Sequence, residues 1–271
     1  MAVSRILNYP GAKWSIANWI IEHMPHHKTY LEPYFGSGAV LFNKAPSRLE
    51  TINDLDSDVV NLFRVIRDYP EELARVARWT PYSREEYYAS YAMEGNELER
   101  ARKFLVRCWM ARGARSSNRN GWRHIIDYNG PRPVRQWNEV PKKILEITDR
   151  LKNVQIEQQP AIQLIKRYKR PEVLIYADPP YVMETRHGRI YKHEMTDEDH
   201  IELLEVLDAH PGPVLLSGYA HPLYDDRLKH WRRETKIVQA EAAQKREEVL
   251  WINPIAAEQV GQMTIFDRMG G

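Results

Sequence analysis

The apolar run Val173-Leu174-Ile175-Tyr176-Ala177 ends on Asp178-Pro179-Pro180-Tyr181. Two prolines supply no backbone N–H, hold the chain extended and leave their carbonyls unclaimed by a sheet ladder, while Asp178 adds carboxylate oxygens. The result is an array of acceptors beside an aromatic ring. A planar exocyclic amine is its complement, with two N–H donors and a lone pair delocalised into the ring. Accepting both N–H groups, at Asp178 and the Pro179 carbonyl, would favour a pyramidal nitrogen whose lone pair can attack, and Tyr181 would stack on the ring. These four residues point to group transfer onto an amino group, and adenine and cytosine satisfy the array equally.

Two other segments end strands on useful chemistry. An extended run from Thr29 to Pro33 leads into Phe35-Gly36-Ser37-Gly38 and then a helix-like segment. Glycine lets a ligand approach the backbone, and a following helix offers free N–H donors. A third glycine at dinucleotide-fold spacing is missing and no Walker lysine follows, which disfavours nicotinamide cofactors and nucleoside triphosphates. The strand Leu49-Glu50-Thr51-Ile52-Asn53 runs into Asp54. There a carboxylate either accepts the two hydroxyls of a ribose or caps the next helix.

These residues need a scaffold that gathers strand ends. Strands are expected at 49–54, 153–157, 172–177, 213–219, 236–240 and 248–253, with helices at 57–69, 160–168 and 197–207 between them. Repeated strand-then-helix order argues for an α/β fold with a doubly wound, mostly parallel sheet, whose ligands sit beyond the carboxyl ends of the strands. The alternation stops between 78 and 150, so the expected division is a catalytic domain of 1–77 and 151–271 interrupted by a mainly helical insertion of 78–150. Residues 100–136 carry ten basic residues against Asp127 alone, interleaved with Trp109, Trp122 and Tyr128 and followed by Trp137. Arginine beside planar aromatics suits phosphate contact, base-edge hydrogen bonds and stacking. The expected DNA contacts are Arg112, Arg115, Asn118, Arg119, Trp122 and Arg123.

Length and composition set outer bounds. A chain of 271 residues with one cysteine, Cys108, has no internal disulfide framework and no thiolate zinc cluster, which fits a reducing, cytoplasmic compartment. No signal-like segment or membrane-length apolar run occurs, so a soluble protein is expected. His187, His193 and Glu194 lack the spacing of an H-E-x-x-H motif, and no metal is expected. Residues 182–195 read instead as a mobile loop that orders over DNA, with Thr196 capping the helix that follows.

In order, Asn8-Tyr9-Pro10-Gly11-Ala12-Lys13, the segment 31–43, the acidic strand end at 52–62, the arginine-rich insertion and Asp178-Pro179-Pro180-Tyr181 resemble the Dam-like DNA adenine-N6 methyltransferases over nearly the whole chain. The resemblance implies S-adenosylmethionine as methyl donor and a flipped adenine of double-stranded DNA as acceptor. It places Tyr9, Lys13, Glu32, Pro33, Phe35, Gly36, Ser37, Gly38, Asp54 and Asp178 at the cofactor, and Asp178, Pro179, Pro180 and Tyr181 at the base. Family members often carry an acid near residue 158 for the cofactor's adenine, where this chain has Gln158 and Gln159. A cytosine-N4 methyltransferase and a non-catalytic DNA-binding module on the same fold are the alternatives, and the setting, restriction-modification or otherwise, is open. Near the end, Gln262, Met263, Ile265 and Phe266 resemble the short peptides that dock on bacterial sliding clamps, so clamp docking through Gln262–Phe266 is a further expectation.

Overall fold

Every residue of Val173–Ala177 is buried, as in a strand covered on both faces, and the sheet is built outward from there. The computed structural model describes residues 5–92, 94–113, 119–126, 132–186, 188–239 and 245–269. Its strands are β1 (Thr29–Glu32), β2 (Leu49–Asn53), β3 (Val154–Glu157), β4 (Val173–Ala177), β5 (Val214–Gly218), β6 (Arg232–Gln239) and β7 (Lys245–Ile252). They form one seven-stranded sheet in the order β3-β2-β1-β4-β5-β7-β6. The pairs from β3 through to β5 are parallel, and β7 runs antiparallel between β5 and β6. The expected doubly wound, mostly parallel sheet is therefore present. β1 lies between β2 and β4, where the winding reverses, so its carboxyl end borders the crevice such sheets use for ligands.

The helices are α1 (Ala17–Glu22), α2 (Ala39–Asn43), α3 (Ser57–Asp68), α4 (Pro70–Trp79), α5 (Arg84–Ala89), α6 (Glu97–Met110), α7 (Pro133–Asn138), α8 (Val140–Leu151), α9 (Ala161–Arg167), α10 (Asp197–Asp208), α11 (Pro222–Arg227) and α12 (Pro254–Met269). Strand alternation sends Tyr30, Leu174 and Tyr176 to one hydrophobic cluster and Leu31, Val173 and Ile175 to the other, the period of two that separates the sheet's faces. α3 follows its expected pattern, with Val59, Leu62, Phe63 and Ile66 buried. Pro70 ends that run as expected and also opens α4, where its fixed φ and missing N–H suit a first helical position. Thr196 caps α10 in a reciprocal box with Asp199. The hairpin strands are longer than the sequence suggested, because cross-strand pairing recruits charged residues such as Arg232 and Lys245 that carry no strand pattern.

Within 78–150, α6 packs on α3, and α8 packs on α3 and α4. Phe104, Leu105, Val106, Trp109 and Met110 of α6 are buried in the cluster that includes Phe35 and Phe63. At roughly 1.5–3 kcal/mol per fully buried large apolar side chain, the helix is held firmly to the sheet's core, and the basic loop after it starts from a fixed base. Ala111 and Trp122 form an antiparallel bridge that closes that loop. No helix among the described residues is long and apolar enough to cross a membrane.

Candidate active site

Parallel pairing of β2, β1 and β4 brings Glu32, Asp54 and Asp178 to one end of the sheet, although 146 positions separate the first from the last in sequence. They border a cavity of about 240 Å³ that is also lined by Tyr9, Lys13, Pro33, Phe35, Gly36 and Ser37. The glycine turn is made by φ of 51° at Gly36 and 69° at Gly38. A Cβ at Gly38 would fall against the Phe35 and Phe42 rings, so the tight turn and its aromatic floor require glycine there. Gly38 itself lies behind the cavity wall. α2 is only five residues long, so its backbone dipole is small.

Asp54 is tied into this turn. The Gly36 N–H donates to its Oδ2 at 2.8 Å and the Asp56 N–H to its Oδ1 at 2.9 Å. Burial pushes the Asp54 carboxyl up to about 6, against the pull of those backbone donors. Helix capping falls to Asp56, whose Oδ1 accepts the Asp58 N–H at 3.0 Å. Asp54 is thus left lining the cavity. Glu32 is buried, and the Tyr30 hydroxyl donates to its Oε2 at 2.8 Å. Burial raises its carboxyl to about 8, against the pull of the Tyr30 hydrogen bond.

At the end of β4, Asp178 Oδ1 is buried without an aligned hydrogen-bond donor among the described residues. Lys13 Nζ lies 3.0 Å away, off the axis of a hydrogen bond, and donates instead to the Gly11 carbonyl at 2.8 Å. Burial opposes the Lys13 charge, but Asp178 and Glu248 outweigh it and hold the ammonium above its ordinary value. Burial and the Glu248 charge raise the Asp178 carboxyl, with Lys13 pulling the other way. Tyr181 is buried: its hydroxyl donates to Glu248 Oε2 at 2.8 Å, Lys13 Nζ sits 4.7 Å from its ring centre, and Tyr219 meets it edge-on at 4.5 Å. Asp178 and Pro180 line the cavity, whereas Pro179 and Tyr181 stand behind them. Glu248 went unnoticed in the sequence. Its signal was alternation, since in β7 it shares a face with Leu250 and Ile252, where an apolar residue is the ordinary expectation.

The segment after this motif closes one side of the cavity with Tyr191, Lys192, His193, Glu194 and Met195. Glu194 pairs with Arg186 and accepts the N–H groups of Ile190 and Tyr191 at 2.7 and 2.9 Å. The Arg186 Nε donates back to the Tyr181 carbonyl at 2.8 Å, and Lys192 Nζ reaches Asp56 Oδ1 at 3.2 Å. Glu194 is therefore committed to an ion pair. Among the described residues no three His, Cys, Asp or Glu side chains converge to hold a metal, and His187 lies outside those residues.

Residues 9–245 match the family of D12 class N6 adenine-specific DNA methyltransferases. The chain belongs to that family. It is 28% identical over 255 residues, covering 82% of this chain and 83% of the relative, to a type II methyltransferase of Lactococcus lactis subsp. cremoris. It is 25% identical over 253 residues, 80% and 85% of the two chains, to a type II methyltransferase of Methanocaldococcus jannaschii. A DNA adenine methylase of Salmonella typhi is 24% identical over 255 residues, 85% and 84% of the two chains. The cavity, the glycine turn and the strand end at Asp178 thus belong to an adenine-specific DNA methyltransferase.

The basic stretch of this methyltransferase divides in two. Arg102 pairs with Glu86 and Glu99, and Arg100 and Arg107 with Asp58. Trp109 and Trp137 are core residues whose indole N–H groups donate to the carbonyls of Ile6 and Thr80. Tyr82 and Tyr87 hydroxyls donate to the Arg123 and Asn120 carbonyls, each at 2.6 Å, and pin the loop from below. Arg119 lies over Tyr88, Arg123 donates to Gln136, and Trp122 is held between Arg84 and His124. Arg112 is exposed; Arg115, Asn118 and Tyr128 lie outside the described residues. Gln158 and Gln159 do not line the cavity; Pro160, Ala161 and Ile162 do. Gln262 is exposed on α12 and donates to Glu258 at 3.3 Å, while the side chains of Met263, Ile265 and Phe266 lie outside the described residues.

Proposed function

We propose that this protein transfers a methyl group from S-adenosylmethionine to N6 of a flipped adenine in double-stranded DNA, at a specific sequence. The observation that carries the proposal is Asp178 Oδ1, a buried acceptor with no aligned donor at the edge of the cavity. The Lys13 ammonium at 3.0 Å balances its charge, and the lone pairs that remain are open to the N–H donors of an exocyclic amine. The cavity also fits the methyl donor. The Gly36–Gly38 turn gives close backbone approach, Asp54 offers carboxylate oxygens to ribose hydroxyls, and Tyr9, Lys13, Glu32, Pro33, Phe35 and Ser37 complete the lining. When bound there, the sulfonium supplies an already electrophilic methyl, so the protein's contribution is positioning and release of the amine lone pair.

Asp178, on the cavity wall, accepts one N–H of the adenine amine; the Pro179 carbonyl as second acceptor and Tyr181 as stacking partner are buried beside it, so entry of the base displaces the Tyr219 ring packed against Tyr181. The amine sheds one proton on methylation, and Asp178, with its raised proton affinity, is the adjacent base. Taking the base out of the duplex costs a few kcal/mol, and the exposed arginines around Arg112, with Arg115, Asn118, Arg119, Trp122 and Arg123, are assigned to holding the duplex. The family favours adenine over cytosine, and the complete Asp178-to-Tyr181 set favours turnover over a silent binding module. Clamp docking through Gln262–Phe266 rests on sequence, and titration of the terminal peptide with a clamp tests it: no affinity ends that reading. For the main activity, DNA from cells expressing the wild type should contain N6-methyladenine at one recurrent sequence in long-read sequencing. DNA from Asp178→Ala cells should not. Unmodified DNA with the wild type, or N4-methylcytosine, would overturn the adenine reading.

A further inference from the structure

Glu248 lies just beyond the part of the chain that matches the family, which ends at residue 245, yet it is built into the same corner. In β7 it pairs with Lys236, one step past the Val249–Gly218 pair that ends contact with β5. That register carries it past β5, to the end of the sheet where Asp178 sits. It is buried, and a buried carboxylate needs partners to offset lost hydration. Its partners belong to the site: the Tyr181 hydroxyl at 2.8 Å and Lys13 Nζ at 4.0 Å, the same ammonium that stands 3.0 Å from Asp178. Lys13 also lies over the Tyr181 ring. A single carboxylate therefore ties the phenol, the lysine and, through the lysine, the acceptor aspartate into one arrangement.

We propose that Glu248 is a positioning residue for methyl transfer: it accepts the Tyr181 hydroxyl and, with Lys13, fixes the tyrosine ring and the Asp178 carboxylate relative to the target amine. This role rests on the methyltransferase reading above. The glutamate oxygen, rather than the bulk of the side chain, carries the effect, so glutamine should replace it in part and alanine should not. Tyr181→Phe breaks the same hydrogen bond from its other end.

The test is steady-state methylation of unmethylated genomic DNA with radiolabelled S-adenosylmethionine, alongside calorimetric binding of that cofactor and thermal unfolding of each variant. Glu248→Ala should lower kcat by about ten- to a hundredfold, the worth of a hydrogen bond to a charged group, with cofactor affinity within about twofold of the wild type. Glu248→Gln should recover most of kcat. Tyr181→Phe should lower kcat by no more than Glu248→Ala, because the Lys13 contact survives in it, and the double variant should be no slower than Glu248→Ala, because both lose one shared hydrogen bond. Wild-type kcat in Glu248→Ala, or single effects that multiply in the double variant, overturns the role. Should Glu248→Ala fail to fold, Tyr181→Phe and Glu248→Gln decide alone: an unchanged kcat in Tyr181→Phe, or a Glu248→Gln as slow as Tyr181→Phe, overturns it. A wild type that transfers no methyl group overturns both this role and the reading beneath it.

Discussion

The strand end at Asp178–Tyr181 and the arginine-rich stretch at 100–136 are both dense clusters of chemistry in sequence, and the fold treats them in opposite ways. At the strand end, an extended backbone brings Asp178 and Pro180 to the cavity wall and buries Pro179 and Tyr181 beside them. In the basic stretch, helix α6 turns about 100° per residue and sends Arg102 and Arg107 inward to Glu86, Glu99 and Asp58, while Arg112 past its end faces solvent. Local density predicts a shared task where the backbone is extended and terminal. On a helix it mixes structural charges with functional ones.

The largest effect separating the two regions should come from Asp178→Ala. Losing an acceptor aimed at the reacting amine should lower kcat by about a hundred- to a thousandfold, with Tm lowered as well, because the buried Lys13 ammonium keeps only the 4.0 Å contact to Glu248. A quantitative methylation assay beside a melting curve checks both. Unaltered turnover would remove Asp178 from the chemistry and collapse the contrast.

Arg107→Ala should act through stability alone. The guanidinium donates to Asp58 Oδ2 at 2.9 Å and to the Ser90 carbonyl at 2.6 Å, and its loss strands a mostly buried acid with only the 3.6 Å contact to Arg100. Stability should fall by roughly 2–3 kcal/mol, read by urea unfolding, while DNA affinity of the folded protein holds. A loss of DNA affinity without a loss of stability would place Arg107 among the DNA-binding residues.

Asp54 sharpens the strand-end side through pH. Its carboxyl is raised to about 6, above the ordinary 3.8, so on acidification the folded protein takes up this proton before the unfolded chain does. The sign follows: protonation between about pH 6 and pH 4 favours the apo fold. The same protonation removes the oxygens that would accept ribose hydroxyls, so cofactor affinity should fall, approaching tenfold per pH unit below about pH 5. Calorimetry against pH, with Asp54→Asn as the control that binds weakly throughout, measures this directly. Affinity flat through that range in the wild type would detach Asp54 from the ribose.

The sheet was legible because apolar runs at regular intervals leave few alternatives to parallel strands, and three strand ends named Glu32, Asp54 and Asp178 before any coordinates did. Helix α8 and Glu248 were not legible. The first lies in a segment whose apolar residues, such as Ile144, Ile147 and Leu151, gain meaning only from α3 and α4 packed against them. The second is a lone acid in a strand that otherwise reads as core, and only the register of β7 shows what it meets. The aromatics between 100 and 137 were not separable for a related reason: composition cannot tell the half-exposed Trp122 from Trp137, which is buried.

The smallest expected effect tests whether the outward half of the basic stretch meets DNA. Arg112 is exposed and follows the buried end of α6, held in place by the Arg112 N–H to Gly121 carbonyl bond at 2.7 Å. A single phosphate contact from such a residue contributes little at physiological salt. Its signature is a change in salt dependence: Arg112→Ala should reduce the slope of log affinity against log salt by about 1 and weaken binding to all duplexes alike, with Tm unmoved. Arg107→Ala should leave that slope intact. If Arg112→Ala instead weakens binding only at the methylated sequence, the residue reads a base edge and the loop carries specificity as well as affinity. If neither variant moves the slope, the duplex lies elsewhere, and the exposed arginines of this loop share the structural role of those in α6.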